Sequence, residues 1–223
     1  MHAMLEATSQ HASAESRRPF VLLASRSPRR RSLLTEFGVA HDAEHPGFDD
    51  AVLEPGTIGP REWVASLAYL KAASKANTLT SSGEIPTAGR LVLGADTICV
   101  KHGSFIGTPT NASDARDILR LLSNGSHEVL TGVAMVHVTP SARHTREIFV
   151  DSAVVRVGEL SDDAINEYVE SSAWQGKAGG YNLAERLEAG WPIEYVGDPT
   201  TIMGLPMREL MPRLERMASR LGM

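Results

Sequence analysis

The chain has a single cysteine, Cys99, among its 223 residues. An internal disulfide framework and a multi-cysteine zinc site are therefore excluded, and a reducing compartment is expected. Cys99 stands in the apolar run Ile98-Cys99-Val100, where the expected role is that of a buried strand residue rather than a nucleophile. No apolar stretch approaches the roughly 20 residues of a membrane-spanning helix; Phe20 to Ala24 is the longest near the start. Residues 1–19 lack the apolar segment of a secretory signal and carry Glu6 and Glu15, and are expected to be a disordered tail or an overlong predicted start. An excess of basic charge is missing too: 22 Lys and Arg face 27 Asp and Glu, for a net charge of −5. That balance argues against a broad electrostatic grip on nucleic acid, which needs a basic face. Gly-X-Ser-X-Gly, His-Glu-X-X-His and Gly-X-Gly-X-X-Gly are all absent, so neither a nucleophile elbow nor a zincin helix nor a dinucleotide fingerprint is present.

Hydrophobic residues make up 42% of the chain, enough for a packed core, since a chain of this length hides roughly 70% of the surface its unfolded state exposes. Phe20 to Ser25 reads as a buried parallel strand. Ser27-Pro28 opens a helix to about Phe37, with Gly38 as its stop. The spacing predicts a second helix from Pro60 to about Leu79, with Trp63, Leu67 and Leu70 as its inward stripe. Arg90 to Val100 reads as a central strand interrupted at Gly94-Ala95-Asp96-Thr97, and Asn111 to Leu122 as a helix with Ala115, Ile118, Leu119 and Leu122 on one side. Two β segments, His127 to Val138 and Arg146 to Val157, precede a helix from Ser161 to Ser171, a strand from Pro192 to Val196 and a last helix from Pro206 to Leu221. Alternating strands and helices, with hairpin-like segments in the middle, predict an α/β fold with some antiparallel pairs. Neither an internal repeat nor a low-complexity linker divides residues 20–223, so one domain is expected.

Ser25-Arg26-Ser27-Pro28-Arg29-Arg30-Arg31 follows the first strand directly. Three arginines in a first helical turn oppose the macrodipole, and an anion would offset them. A strand, a tight Ser-rich turn and a helix N-terminus is also where α/β proteins seat phosphates. Taken alone, the run could equally be a solvated basic face with Ser27 as a plain cap. Asp96, inside an apolar strand, is costly to bury unless it is paired, metal-bound or facing a cleft; capping a turn is its structural alternative. Asp49-Asp50, after His45-Pro46-Gly47, could add oxygen ligands for a hard cation or be an exposed loop. Gly176-Lys177-Ala178-Gly179-Gly180-Tyr181 is not a Walker A loop, because the upstream glycine is absent and Ala178 replaces the magnesium-binding Ser or Thr. Its glycines still permit close approach of a ligand, with Lys177 reaching an anion. Lys71 borders the apolar stripe of the second helix and either snorkels to solvent or reaches a cleft. His41 and His45 have i, i+4 spacing, but Pro46 argues against a helix that would pair them as zinc ligands.

Taken in order, Ser-X-Ser-Pro-Arg-Arg at 25–30, Leu-Ala-X-X-Lys-Ala at 67–72, Gly-Ala-Asp-Thr at 94–97, Gly-Lys-Ala-Gly-Gly-Tyr at 176–181 and Gly-Leu-Pro at 204–206 make the chain resemble the Maf family from about Phe20 to the final helix. The resemblance implies a fold similar to the inosine triphosphate pyrophosphatases: a mixed, elongated, twisted α/β sheet flanked by helices, with two lobes around a central cleft. It implies hydrolysis of nucleoside triphosphates to the monophosphate and pyrophosphate, with a divalent metal, magnesium or manganese, in a cytoplasmic housecleaning role. By position, Ser25, Arg29, Arg30, Lys71 and Lys177 would hold the phosphates. Asp96 would be the catalytic carboxylate and a metal ligand, and Asp50 would contribute to the metal site. Arg29 with Thr97 resembles the branch acting on dTTP and UTP. Two positions depart from the family: Thr108 in Gly107-Thr108-Pro109 replaces a lysine, and Ala184 replaces the glutamine of that branch, with Glu185 beside it. Glu185 would accept hydrogen bonds from a base, which keeps 7-methyl-GTP or another modified purine as an alternative substrate. The family's association with septum formation leaves a nucleotide-binding regulator with little catalysis as the other alternative. A homodimer is implied, and no nucleic-acid polymer or membrane partner is expected.

Overall fold

The structure, a computed structural model, describes residues 21–48, 53–83, 85, 89–141 and 144–220. The expected tail, and Asp49 and Asp50 with it, lie outside the described residues. Val21–Ala24 forms β1, buried along its whole length, as its unbroken apolar run requires of a strand covered on both faces. Ser27 caps α1 (Pro28–Glu36), its Oγ accepting a hydrogen bond from the Arg30 N–H at 3.4 Å. His41–Glu44 forms β2 and pairs in parallel with β1. The sequence alone does not reveal this strand, because His-Asp-Ala-Glu at a sheet edge carries no apolar alternation. The long helix α2 (Pro60–Ser82) returns the chain to β3 (Arg90–Lys101), which pairs in parallel with the opposite side of β1.

The second half is built on antiparallel pairing. β4 (Ser104–Ile106) folds back on β3, and α3 (Ala112–Leu122) leads into the long hairpin of β5 (Gly125–Val138) and β6 (His144–Val157). Then come α4 (Asp162–Glu170), a 3-10 turn at Ala178–Gly180, and α5 (Leu183–Glu188). The edge strand β7 (Ile193–Val196), α6 (Pro199–Ile202) and α7 (Met207–Arg220) complete the described chain. One seven-stranded sheet results, in the order β2-β1-β3-β5-β6-β7 with β4 attached to β3. This is the mixed α/β sheet flanked by helices that the sequence predicts.

Alternation along β3 distributes the cores. Leu91, Leu93 and Ala95 pack with Leu33 and Leu34 of α1 and Leu210 and Leu214 of α7 on one face. Val92 packs with Ala68, Ala72 and Ala76 of α2 on the other. Farther along the sheet, Cys99, Val129 and Val155 form a separate core with Leu119, Leu122, Ile165 and Trp174. Cys99 is thus the buried strand residue expected, and burial pushes its thiol up to about 12.

Two expectations change. The buried stripe of α2 is Val64, Leu67, Ala68, Ala72, Ala76 and Leu79, whereas Trp63 is half-buried and Leu70 is 37% exposed. The cause lies in the sheet: a Cβ on Gly94 would stand 2.7 Å from the Ala72 nitrogen, and one on Gly132 would stand 2.5 Å from the Val64 carbonyl. These glycines let the helix backbone rest directly on the strands, so alanines fit the contact and bulky side chains do not. Nor is β3 interrupted at Gly94-Ala95-Asp96-Thr97. Its ladder to β5 runs unbroken from Arg90 opposite Val138 to Val100 opposite Glu128. What stops is the other edge, where β1 pairs only as far as Leu93 and β4 begins only at Cys99. Between them, among the described residues, this edge of β3 has no strand partner. The gap lies at the carboxyl end of β1, where the chain first leaves for β2 and later returns to β3, the topological switch point at which open α/β sheets bind ligands.

Candidate active site

The gap opens into a cleft of about 990 Å³. Ser25, Arg29, Arg30, Lys71, Asp96, Thr97, Lys177 and Glu185 all line it, so the fold brings together every described residue that the sequence nominates. Five cationic side chains, those four and Arg26, face two carboxylates, Asp96 and Glu185. A chain of net charge −5 thus gathers positive charge into one concavity, where low-dielectric walls concentrate the field.

Ser25 is buried just past β1, and its Oγ accepts from the Ser27 N–H at 3.1 Å and from Arg30 Nη1 at 3.4 Å. Arg30 is not part of a solvated basic face: its Nε donates to the Gly204 carbonyl at 2.7 Å and its Nη2 to Thr97 Oγ1 at 3.1 Å. Backbone and hydroxyl oxygens thereby offset one of the three crowded arginines. Arg29 is half-buried in the cleft wall, and Arg31 is exposed outside it. With no acidic residue in the first turn of α1, the helix presents its N-terminal dipole without a counter-charge of its own.

Asp96 shares the α2 face of β3 with Gly94, and there Lys71 Nζ donates to its Oδ1 at 2.6 Å. Their side chains are only 12% and 13% exposed, so the lysine reaches the cleft instead of snorkelling to solvent. The pair forms because the glycine contact seats α2 low on the sheet. Among the described residues no three His, Cys, Asp or Glu side chains converge as a metal cage. A single cleft carboxylate beside cations nevertheless fits a hard cation held jointly with substrate phosphates, the usual binding mode of magnesium.

Lys177 precedes the 3-10 turn, in which Gly179 has φ +68° and a Cβ would lie 2.9 Å from Cys99 Sγ. Only glycine allows both that conformation and that closeness. Two buried tyrosines fasten the loop: Tyr168 Oη donates to the Gly180 carbonyl at 3.0 Å, and Tyr181 Oη bonds His127 Nε2 at 2.8 Å. Burial pushes Tyr168 up to about 12 and Tyr181 above the usual tyrosine range. Burial, with the Lys101 charge adding to it, pushes His127 down to about 4. Lys177 is ion-paired with Glu185. Glu185 therefore enters the cleft as the counter-ion of a lysine, while Ala184 is exposed and Thr108 lines the cleft wall.

Phe48 and Thr131 are absent from the sequence reading, and His45 figures there only as a rejected zinc ligand. His45 and Phe48, after β2, also line the cleft. Thr131 lies beneath it, fully buried, donating from Oγ1 to the Thr201 carbonyl at 2.7 Å and meeting Thr97 Oγ1 at 2.9 Å. The available signal for Thr131 is a hydroxyl amid Val129-Leu130-Thr131-Gly132-Val133.

The sequence pattern of the family described as Maf-like protein matches residues 20–217. The chain is 37% identical over 190 residues to a dTTP/UTP pyrophosphatase of Salinibacter ruber, covering 85% of this chain and 87% of that protein. It is 36% identical over 192 residues to a dTTP/UTP pyrophosphatase of Alkaliphilus metalliredigens, covering 85% and 92%. Among solved structures, a nucleoside-triphosphatase/dITP/XTP pyrophosphatase of Mycobacterium abscessus aligns with a TM-score of 0.36 at 14% identity, over 63% of this chain and 74% of that one, a likeness too slight to bear on function. With the family pattern running from β1 into α7 and relatives above 30% identity along most of their length, the chain belongs to the Maf-like protein family.

Proposed function

We propose that the chain is a nucleoside triphosphate pyrophosphatase that converts dTTP, UTP and related pyrimidine nucleotides to the monophosphate and pyrophosphate. The observation that carries this is the gathering of five cations and Asp96 at the switch point of the sheet, in a chain whose Maf-like relatives bear the name dTTP/UTP pyrophosphatase. Arg29, Lys71, Lys177, Ser25 and the N-terminus of α1 hold the triphosphate. Their charge offsets what the phosphates carry and what accumulates on the departing pyrophosphate. Lys71 holds Asp96 in position, and Asp96 orients water toward the α-phosphorus and receives its proton. As the new P–O bond forms, the bridge from the α- to the β-phosphate breaks, and pyrophosphate leaves with the bridging oxygen. Asp96, with Asp50 by the family resemblance, would hold a divalent cation, magnesium or manganese, which supplies charge neutralisation at the phosphoryl oxygens when bound.

Arg30, which the resemblance assigns to the phosphates, instead bonds the Gly204 carbonyl and Thr97 Oγ1, and this supports placing it with Thr97 toward the base. Glu185, already engaged by Lys177, belongs with the phosphate site, and this favours a pyrimidine over a modified purine. The activity resides in one domain, residues 20–223, in the cytoplasm. The test is incubation with dTTP, UTP, CTP and 7-methyl-GTP plus magnesium or manganese, following pyrophosphate release. Turnover of dTTP and UTP is expected. Folded protein that turns over none of them overturns the proposal, and turnover of 7-methyl-GTP alone moves the substrate to the modified purines.

A further inference from the structure

Thr131 lies at the centre of β5, directly across the ladder from Thr97 on β3. A threonine hydroxyl carries one proton, and that of Thr131 goes to the Thr201 carbonyl at 2.7 Å, an atom that can only accept. The 2.9 Å contact between the two threonine oxygens is therefore made with the proton of Thr97. Thr97 Oγ1 in turn accepts from Arg30 Nη2 at 3.1 Å, and Arg30 Nε donates to the Gly204 carbonyl at 2.7 Å. Thr201 is held from its far side by donating its own hydroxyl to Asp151. The bonds thus form a ring, from Arg30 to Thr97 to Thr131 to the 201–204 segment and back to Arg30. Its direction is set by the two groups that cannot reverse, a guanidinium without an acceptor and carbonyls without a proton.

The consequence falls on the cleft, which Thr97 lines. Its proton is turned into the sheet, and what Oγ1 offers a ligand is a lone pair beside a guanidinium that only donates. We propose that Thr131 is a positioning residue that fixes Thr97 as an acceptor-only group, so that the cleft selects a base edge with an N–H next to a carbonyl, the imide of uracil or thymine. The inference rests on the pyrimidine nucleotide reading and deepens it by naming the device that chooses the base. A ring edge without an N–H sets a bare nitrogen lone pair against that of Thr97, with no proton to share between them. Without the Thr131 oxygen, the Thr97 hydroxyl is released to turn its proton toward the cleft and accommodate that edge.

The test is calorimetric binding of α,β-methylene triphosphate analogues to the full chain. One analogue carries uracil; the other carries pyrimidin-2-one, whose ring edge has no N–H. Wild-type protein is expected to prefer uracil by about 10- to 100-fold, the range one unpaired polar contact produces. Thr131→Ser keeps the oxygen and should keep the preference. Thr131→Val should reduce it to about threefold or less, while inorganic pyrophosphate binds all three proteins alike, which a general loosening of the site would not allow. Thr97→Val, which removes the acceptor itself, should lose the same preference and stands in if Thr131→Val does not fold. No preference in the wild type, or an undiminished preference in a folded valine variant, overturns the inference. Failure of the wild type to release pyrophosphate from UTP sinks the enzymatic reading but leaves these ratios decisive; binding of neither analogue sinks both.

Discussion

Replacing Gly94 with alanine would insert one methyl group between β3 and α2. The new Cβ would press hardest on the Ala68 carbonyl oxygen and stand 2.7 Å from the Ala72 nitrogen and 2.9 Å from Ala72 Cβ, in the helix that carries Lys71 one residue before Ala72. Ordinary contact begins near 3.4 Å and the Ala68 oxygen lies nearest, so the helix must retreat by roughly 1 Å, and overpacking of this kind costs about 1–3 kcal/mol. The contact between Lys71 and Asp96, 2.6 Å in the native chain, depends on the same spacing and would stretch to roughly 3.6 Å, beyond a charge-assisted hydrogen bond. A misplacement approaching 1 Å in a catalytic constellation costs up to about 100-fold in rate. Urea unfolding and steady-state hydrolysis of UTP measure the two effects separately. Gly94→Ala should lose about 1–3 kcal/mol of stability and about 10- to 100-fold in kcat. Gly107→Ala, whose Cβ would meet nothing within 4 Å, should be close to neutral in stability. A Gly94→Ala protein within about 0.5 kcal/mol of wild type and with unchanged kcat would refute the claim that this glycine sets the spacing of the pair.

Other outcomes follow from the same geometry. Asp96→Asn keeps an oxygen for Lys71 but removes the proton acceptor, so kcat should fall by about 100- to 10,000-fold with little change in melting temperature; near-native turnover would remove Asp96 from the reaction. Glu185→Gln takes the counter-ion from Lys177, and inorganic pyrophosphate should inhibit several-fold more tightly in competition assays, whereas weaker or equal inhibition contradicts the pairing's role. His127 sits near 4 in the folded chain against 6.5 when unfolded, so the unfolded state takes up the proton first as pH falls. Its stabilisation is complete above pH 6.5 and is lost on the way down to about pH 4, about 3 kcal/mol in all. Urea midpoints at pH 7.5 and 4.5 should therefore differ less in His127→Gln than in wild type, and an equal difference would show that the loss arises elsewhere.

Features decided by neighbours in the chain were legible in advance. Ser27-Pro28 announces the start of α1, and an aspartate in an apolar strand announces Asp96 as either paired or functional. Features decided across the fold were not. The inward stripe of α2 depends on Gly94 and Gly132, which lie on other elements and admit alanine where a sequence pattern favours tryptophan and leucine. β2 is polar because it is an edge, so periodicity cannot find it. Arg30 belongs to a basic run in sequence, yet its guanidinium is captured by a carbonyl 174 residues away. Glu185 reads equally well as a base acceptor until Lys177 is seen beside it. Thr131 acquires meaning only from the register that sets it opposite Thr97, and antiparallel register is a property of two strands together.

Attack of water on the α-phosphorus of a pyrimidine nucleoside triphosphate is tested most directly by hydrolysing UTP in heavy-oxygen water with magnesium present and weighing the products by mass spectrometry. The proposed reaction predicts UMP carrying the heavy oxygen and pyrophosphate free of it. Label in pyrophosphate, release of inorganic phosphate with UDP, or folded protein that leaves UTP and dTTP intact would contradict it.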